Sequence, residues 1–397
     1  MHKVVFCQNL FDNALTNSIH QARKDCLVQL SSDLLDYDTS ISVTEIGKKL
    51  TTNTSVKHKI KMANYFVNNY KFEKCIPTIY QGLAQFFWGQ AKELIVLVDW
   101  SGACSPGHYV LEASVVGHGR SIPLYHEIHC STQQQTAEVH ELFLMRLKQV
   151  IPKGISVTLI TDAGFYSKWF KQVADFGWNF IGRVSSTYHY QFDGDSQWLA
   201  IDNILFSGYE KPMSLGKVKL GKINTVEGYL YTYKQKLSGK FRKKKHKCHH
   251  HDRGYSDGYK KGWILLSTLK YPALVLVRYY KKRMQIEQNF RDIKNEQLGI
   301  GLRRNASSGK TRINMLFFLA TLLIIIFWWF GLMLEMAGKH RGYQANSIKN
   351  KRVRSFVHLA RLGIRHEPEL LTWESLQRTI SRLLECYHQF IEVGVLC

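Results

Sequence analysis

The sequence predicts an α/β layered domain flanked by helical segments. Between residues 93 and 184, apolar runs and helical periodicity follow the order three strands, helix, strand, helix, strand, as in a sheet covered by helices. Two of the apolar runs, residues 93–100 and 155–162, end in an aspartate. A chain of 397 residues that is 45% hydrophobic has room for two or three domains and is not a disordered basic tail.

Residues 1–80 are predicted to form a helical DNA-binding region. The capping box Ser42-Val-Thr-Glu45 begins one helix, the turn TTNT follows, and a second helix begins with Lys57, Lys59 and Lys61. A helix, a short turn and a basic helix are typical of a helix-turn-helix DNA reader. An ordinary helical hairpin gives the same pattern, so both interpretations stay open.

Residues 81–184 are predicted to be the first part of the α/β core. Its strands are ELIVLVDW, YVLEASVVG, SIPLYHEIH, ISVTLITD and WNFIGRV, and its helices cover residues 136–151 and a short segment from Tyr166. Asp99 and Asp162 lie at or near the carboxyl ends of the first and fourth strands. Ligand sites of α/β sheets gather at such ends, which makes both acids candidate site residues.

The rest of the chain divides into three predicted parts. Residues 185–275 form a β-rich basic insertion of alternating stretches separated by Gly and Lys, with its most basic loop at residues 240–251. Residues 276–338 form the second part of the core, entered by a helix over residues 274–298. Residues 339–397 are predicted to be a helical C-terminal region.

Basic residues are concentrated in three segments of the chain. The sequence has 54 Lys and Arg against 31 Asp and Glu, a formal charge of +23. Net charges of +10, +7 and +8 fall in residues 211–252, 278–312 and 339–366, and the remainder is near neutral. This distribution indicates a polyanionic partner, nucleic acid first and anionic membrane second, although a solvated basic surface is also consistent with it.

One segment is apolar enough to cross a membrane. Residues 315–334 are apolar apart from Thr321, which is about the length that a bilayer requires. A helix that is apolar on all sides also occurs inside large domains, and no second such run is present. The sequence favours the buried helix and leaves a single-span membrane protein with basic flanks as the alternative.

The cysteines and the N-terminus favour a cytoplasmic protein. The eight cysteines are widely spaced without a C-x-x-C pair, which fits reduced thiols better than a disulfide framework. The first residues, MHKVVFCQNLFDN, lack the apolar region of a signal peptide.

Two further motifs resemble ligand sites but lack essential parts. The segment Ser308-Gly309-Lys310-Thr311 resembles the end of a P-loop, but Arg304 replaces the first glycine. The Cys and His residues at 246–251 have no second pair of zinc ligands, so a DNA-contacting loop is favoured there.

Three carboxylates form the predicted catalytic centre. Asp99 and Asp162 come from two strands of one sheet, and Glu287 lies on the helix expected to pack across it. Converging carboxylates repel one another unless a cation neutralises them, and all-oxygen ligation suits Mg²⁺ or Mn²⁺. Two such ions about 4 Å apart would activate a water or a 3′-hydroxyl and stabilise the leaving oxygen. Each acid taken alone is also explained as an ordinary strand-end or helix-face carboxylate.

The helix that carries Glu287 presents basic groups beside it. On a continuous helix Tyr280, Arg283 and Lys294 fall with Glu287 in an arc of about 60°. A phenol, a guanidinium and an ammonium next to a carboxylate are typical of contacts to phosphates that flank a scissile bond.

These four residues have the Y-x2-R-x3-E-x6-K spacing of the Y-R-E-K signature, and the chain resembles the DDE transposases of the insertion-sequence-four family. LVDWS around Asp99 and TDAGF around Asp162 resemble the other two acidic motifs of that family. The phrases VLEASVVGHGRSIPLYHE, YYKKRMQIEQNFRDIK and GIGLR are most similar to its ten-type group. The resemblance covers nearly the whole chain, and the four-point signature is highly specific.

The resemblance implies an RNase H-like core with a β-rich insertion between the second Asp and the Glu. It implies cut-and-paste transposition, in which a nick, a hairpin, hairpin opening and strand transfer follow one another at the element ends. By position, Asp99, Asp162 and Glu287 would hold two Mg²⁺ ions, for which Mn²⁺ substitutes. The groups that would grip DNA near the transposon end are Tyr280, Arg283 and Lys294.

The resemblance also implies partners and a further DNA-contacting residue. A homodimer would act on double-stranded DNA, at the terminal inverted repeats and at the target, in a bacterial cytoplasm and its nucleoid. Trp263 matches the aromatic residue on which the family stacks a flipped base. From its own surroundings Trp263 is better explained as a core residue of the insertion. A catalytically silent DNA-binding protein derived from a transposase remains the alternative function.

Overall fold

A computed structural model of the chain describes residues 2–206, 208–236, 262–348 and 351–393. The predicted basic loop at 240–251 and the Cys and His residues at 246–251 lie outside the described residues.

The N-terminal part is helical, as predicted. Ser42 and Ser55 cap two successive helices by accepting hydrogen bonds from the backbone N–H groups of Glu45 and His58. The two helices cross so closely that a Cβ on Gly47 would lie 2.5 Å from the Cα of Ile60. The sequence therefore predicted the helix, turn and helix correctly, and DNA reading by this pair stays a prediction. The N-terminal helices are α1 (His2–Ala14), α2 (Gln21–Leu34), α3 (Val43–Lys49), α4 (Val56–Val67), α5 (Tyr70–Glu73) and α6 (Ile76–Trp88).

The α/β core has the predicted order of strands and helices. Its apolar strands are buried, with Leu94 to Val98 at most 2% exposed, because the sheet is covered on both faces. The elements are β1 (Glu93–Gly102), β2 (His108–Val115), β3 (Ile122–Cys130), α7 (Ala137–Val150), β4 (Ser156–Thr161), α8 (Ser167–Asp175) and β5 (Asn179–Arg183).

The strand order of the core is β3-β2-β1-β4-β5. β2 is antiparallel to β1 and β3, whereas β1, β4 and β5 run parallel. Three antiparallel strands followed by two parallel strands with helical crossovers form an RNase H-like core, which confirms the predicted fold class.

The strands of the predicted insertion continue this sheet. β10 pairs antiparallel with β5, and the full order is β3-β2-β1-β4-β5-β10-β9-β8-β6-β7. The core and the insertion therefore share one ten-stranded sheet in the described part of the chain. The added strands are β6 (His189–Phe192), β7 (Leu199–Ala200), β8 (Met213–Leu220), β9 (Val226–Tyr233) and β10 (Trp263–Ser267).

The helix predicted over residues 274–298 is two shorter helices, α9 (Ala273–Lys281) and α10 (Met284–Lys294). The N–H groups of Lys282 and Arg283 bond to carbonyls three residues back, which tightens the chain into a turn between the helices. α10 ends early because the N–H of Ile300 bonds to the carbonyl of Asp292 and turns the chain back over the helix.

The apolar run lies inside the protein. α11 (Lys310–Met336) buries all of residues 315–334 and packs against β3, α12 (Phe356–His366) and α13 (Trp373–Val393). Among the described residues it is the one helix long and apolar enough to span a membrane. Because protein covers its whole circumference, it is a core helix, and the membrane alternative has no support in the structure.

Candidate active site

Two of the predicted acids meet at the middle of the sheet. β1 and β4 are parallel neighbours in which Leu97 pairs with Ile160, so Asp99 and Asp162 stand at the same level two residues further on. Asp162 directly follows β4, as predicted for a strand end. Asp99 lies inside its strand, because the residues from Asp99 to Gly102 still pair with β2.

The third acid comes from α10, which packs on β1. Glu287 lies in the first turn of α10, and its side chain is 13% exposed, as is that of Asp99. Burial raises the pKa of Asp99 to about 8, and the negative charges of Asp162 and Glu287 add to the rise. The register of β1 and β4 brings Asp162 beside Asp99, and one side chain, Arg283, contacts both Asp99 and Glu287, so the structure brings the three predicted acids together.

The guanidinium of Arg283 lies between Asp99 and Glu287. Its Nη1 is 3.5 Å from Oδ2 of Asp99, and its Nη2 is 2.6 Å from Oε1 of Glu287. Only 14% of the Arg283 side chain is exposed. The positive charge opposes the rise in the pKa of Asp99. Arg283 was predicted beside the acids, but its direct contact with both of them was not.

Tyr280 is buried near Arg283. Burial raises the pKa of Tyr280 to about 12, and its ring lies 5.0 Å from that of Trp263, edge to face. Trp263 begins β10, is 9% exposed and also packs on Tyr233, at 5.4 Å. The structure thus places Tyr280 and Trp263 together in the core beside the acids. This burial fits the core interpretation of Trp263, and base stacking stays a prediction.

Lys294 lies at the far end of α10. Its Nζ donates a hydrogen bond of 2.7 Å to Oγ of Ser101, two residues beyond Asp99. Burial lowers the pKa of Lys294. The ammonium is therefore fixed along β1 rather than at the centre of the acids, at a position suited to a flanking phosphate.

Buried polar contacts hold α10 on the sheet. Gln285 exchanges two hydrogen bonds with the backbone of Gly117, of 3.0 and 2.7 Å, and Arg120 binds Asp292 at 2.8 Å. Asn289 donates a 2.9 Å hydrogen bond to Glu112 on β2. These contacts determine where Glu287 stands, because each turn of α10 is fixed to a neighbouring element.

Sequence reasoning missed Glu112. It pairs directly with Asp99 across β1 and β2, so both side chains project from the same face of the sheet. Glu112 is fully buried, and burial raises its pKa to about 8. Its Oε2 has no hydrogen-bond partner in the described part of the chain. The signal was available, since an acid inside the apolar run YVLEASVV is as unusual as Asp99 in LIVLVDW.

The acids suit a divalent cation in type but not in their present arrangement. Three carboxylates are the hard oxygen donors that Mg²⁺ and Mn²⁺ prefer. Among the described residues, however, no three His, Cys, Asp or Glu side chains are close enough together to hold a metal ion. Arg283 supplies positive charge between Asp99 and Glu287 instead.

A second basic surface is formed by α4 and the first turn of α11. Arg312 donates a 2.6 Å hydrogen bond to Asn64, which holds α4 against the start of α11. A cleft between them is lined by Lys57, Lys61 and Arg312, and the two lysines are exposed. The predicted reader helix is thus attached to the start of α11.

The chain is similar to a family of known proteins and to a solved structure. A family model described as transposase DDE domain matches residues 107–325, which is more than half of the chain and includes Asp162 and Glu287. No curated protein sequence matches the chain. The cryo-EM structure of a piggyBac transposase synaptic complex with hairpin DNA aligns with 97% of this chain and 74% of its own, at 12% identity and a TM-score of 0.40.

Proposed function

The chain belongs to the transposase DDE domain family and is a DNA transposase, and on this premise we propose that it catalyses cut-and-paste transposition of an insertion sequence. We place it in the ten-type group of the insertion-sequence-four family on the Y-R-E-K spacing of Tyr280, Arg283, Glu287 and Lys294.

The observation that carries this proposal is the convergence of acids among basic groups. Asp99 and Asp162 stand at one level on neighbouring strands, and Glu287 is joined to Asp99 through Arg283. Arg283 and Lys294 lie within and beside that site. A solvated basic surface does not explain three acids at its centre, whereas phosphoryl transfer on DNA requires both kinds of charge.

The three acids would hold two divalent cations, Mg²⁺ with Mn²⁺ as substitute. Bound there, the cations would activate a water or a 3′-hydroxyl and stabilise the leaving oxygen. The chain's own part is to fix the three carboxylates on a rigid sheet and a clamped helix. Pre-organisation of this kind lowers the barrier because little has to move when charge develops.

The basic groups would position DNA around these acids. Arg283 offers a planar fork that matches a phosphate, and Lys294 offers a point charge further along β1. Tyr280 and Trp263 would act behind them, with Trp263 leaving its contact with Tyr280 to stack on a flipped base. Base–aromatic stacking is worth about 1–3 kcal/mol, which is comparable with the cost of unstacking a base.

The proposed sequence of steps is nick, hairpin, hairpin opening and strand transfer. In each step the oxygen of a water or a 3′-hydroxyl forms a bond to a DNA phosphorus, and the bond from that phosphorus to the leaving oxygen breaks. Because the reaction type is the same, one set of acids serves all four steps. Two element ends must be held together before the ends are joined to a target, and a homodimer on DNA would meet this requirement.

Glu287→Gln tests this function. The substitution keeps the shape of the side chain and removes the charge that a cation requires. We expect the rate of nicking of element-end DNA in Mg²⁺ to fall more than about 100-fold. Losing a residue that only hydrogen-bonds to a metal ligand usually lowers activity by about 10- to 100-fold, and losing the ligand itself should lower it further. Binding of the same DNA, measured by gel shift in EDTA, should stay within about twofold.

The wild-type protein provides the control for this test. If the wild type binds the ends and does not nick them in Mg²⁺ or Mn²⁺, the chain is the silent DNA-binding alternative. If Glu287→Gln nicks as fast as the wild type, the assignment of the three acids is wrong.

A further inference from the structure

Arg283 occupies the space in which a cation would join Asp99 to Glu287. Its Nη2 is 2.6 Å from Oε1 of Glu287, and its Nη1 is 3.5 Å from Oδ2 of Asp99. A Mg²⁺ ion binds a carboxylate oxygen at about 2.1 Å. An ion on the same Glu287 oxygen would therefore lie within about 4.7 Å of the guanidinium nitrogen.

The surroundings make such a pair of cations unfavourable. The side chains of Arg283, Asp99 and Glu287 are only 13–14% exposed, so water screens their charges weakly. With Arg283 present, one positive charge already offsets two carboxylates. Removing it without replacement would leave those carboxylates uncompensated in a mostly buried site. The acids thus require one cation or the other, and steric and electrostatic conflict disfavours both together.

Arg283 also lies at a point where its side chain can be redirected. It stands in the turn between α9 and α10, just before the first residue of α10. The catalytic helix itself is held by Gln285, Asn289 and Asp292, all C-terminal to the turn. The position of Glu287 therefore does not depend on the Arg283 contact alone.

We propose that Arg283 is the resident counter-ion of the acids, and that it gives up this position to a divalent cation when a DNA phosphate receives its guanidinium. The inference rests on the proposed function only in naming DNA as the source of the phosphate. It predicts that DNA and the divalent cation bind cooperatively, and linkage makes that coupling reciprocal.

Titration calorimetry with Mn²⁺ on the full-length protein tests the exchange. For the wild type, a short DNA duplex should raise the affinity for Mn²⁺ about 10-fold or more, within the usual range of coupling between sites. For Arg283→Ala without DNA, the affinity should already be about 10-fold above that of the wild type, and the duplex should add less than about twofold. Arg283→Lys keeps the positive charge but not the planar guanidinium. Its Mn²⁺ affinity without DNA should lie between that of the wild type and that of Arg283→Ala.

Arg146→Ala is the matched control. Arg146 also pairs with a buried acid, Glu127 at 3.0 Å, but on α7, and its loss should leave Mn²⁺ affinity unchanged. If Arg283→Ala and Arg283→Lys bind Mn²⁺ no more tightly than the wild type, or if DNA does not change the wild-type affinity, the exchange is disproved.

The calorimetric result and the nicking assay report separately. A protein that shows the Arg283-dependent coupling but does not nick DNA would contradict the proposed function and support the counter-ion role. A protein that nicks DNA without this coupling would support the proposed function and contradict the counter-ion role.

Discussion

At the scale of single residues, the site contains acids whose protonated, neutral form is favoured by burial. Asp99 and Glu112 are cross-strand partners on the same face of the sheet, and both have pKa values raised to about 8 by burial. Asp99 has Arg283 beside it, whereas Glu112 has the amide of Asn289. The two acids therefore differ in their partners: Asp99 faces a guanidinium, and Glu112 faces a neutral amide.

The raised pKa of Glu112 predicts a pH dependence of stability. In the unfolded chain a glutamate loses its proton near pH 4.3, whereas in the folded protein the pKa of Glu112 is about 8. Between these values the folded state keeps a proton that the unfolded state has lost. The free energy of unfolding should therefore fall as pH rises from about 4.5 to about 8, by up to about 1.4 kcal/mol per pH unit for this group. Urea denaturation in EDTA measures it.

Glu112→Gln isolates this contribution. The amide has the shape of the protonated acid and still accepts from Asn289, so stability at pH 5 should change by less than about 1 kcal/mol. At pH 8 the variant should be more stable than the wild type. Asp99 contributes a slope of the same sign, so the variant flattens the pH profile without abolishing it. An unchanged profile would show that Glu112 is ionised at neutral pH.

Trp263 distinguishes a packing role from a DNA-contacting role. Truncation to Ala would leave a cavity against Tyr280 and Tyr233 that costs about 3–5 kcal/mol, so Phe is the better probe. We expect Trp263→Phe to slow hairpin formation several-fold more than the first nick, because a smaller ring stacks less well on a flipped base. The control is Trp178→Phe, a tryptophan of equal burial before β5, which should affect both steps alike. Equal slowing of both steps by Trp263→Phe would assign Trp263 to the core alone.

At the scale of elements, α10 ends where a glycine admits a close contact. A Cβ on Gly299 would lie 1.8 Å from the carbonyl oxygen of Asp292, and the obstructing atoms are backbone. Without that Cβ, the chain after α10 folds back so that the N–H of Ile300 bonds to the same carbonyl. The C-terminal turn of α10, which carries Lys294, depends on this contact.

Gly299→Ala should therefore disturb the C-terminal end of α10. We expect a loss of about 3 kcal/mol in the free energy of unfolding, at the upper end of the cost of overpacking, together with weaker DNA binding through Lys294. Thermal denaturation and gel shift measure the two effects. Gly342→Ala is the control, since a Cβ there meets nothing within 4 Å. A Gly299→Ala protein as stable as the wild type would mean that the loop relaxes freely.

The sequence predicted elements better than their ends. Strands β1 to β5 and helix α7 were found because apolar runs and helical periodicity are strong local signals. The break between α9 and α10 was missed because no Pro or Gly marks residues 281–284. The turn follows from tertiary contacts, such as those of Gln285 with Gly117 and of Asp292 with Arg120, which hold α10 on the sheet. The three acids were predicted from local sequence patterns, whereas the Arg283 bridge and the pairing of Glu112 with Asp99 depend on contacts between distant segments and were not predicted.

At the scale of the whole molecule, some basic residues pair with groups inside the protein and others are exposed to solvent. In the segment 339–366, Arg361 is buried and donates to the carbonyls of Tyr37 and Gln297, and Arg352 pairs with Glu335 at 3.0 Å. These cations hold the C-terminal helices to the rest of the chain. Part of the +23 charge is therefore structural, and the number of phosphate contacts must be smaller than the charge suggests.

The salt dependence of DNA binding measures how many of the exposed basic residues contact phosphates. Each phosphate contact contributes about 0.9 to the slope of log affinity against log salt, so Lys57→Ala with Lys61→Ala should lower the slope by about 1.8 if both exposed lysines of α4 face the backbone. Lys24→Ala is the control, because Lys24 is 12% exposed and paired with Asp12 at 2.7 Å. Filter binding across a salt series measures the slopes. An unchanged slope in the double variant would leave α3 and α4 as an ordinary helical hairpin, and DNA would then be held by the core alone.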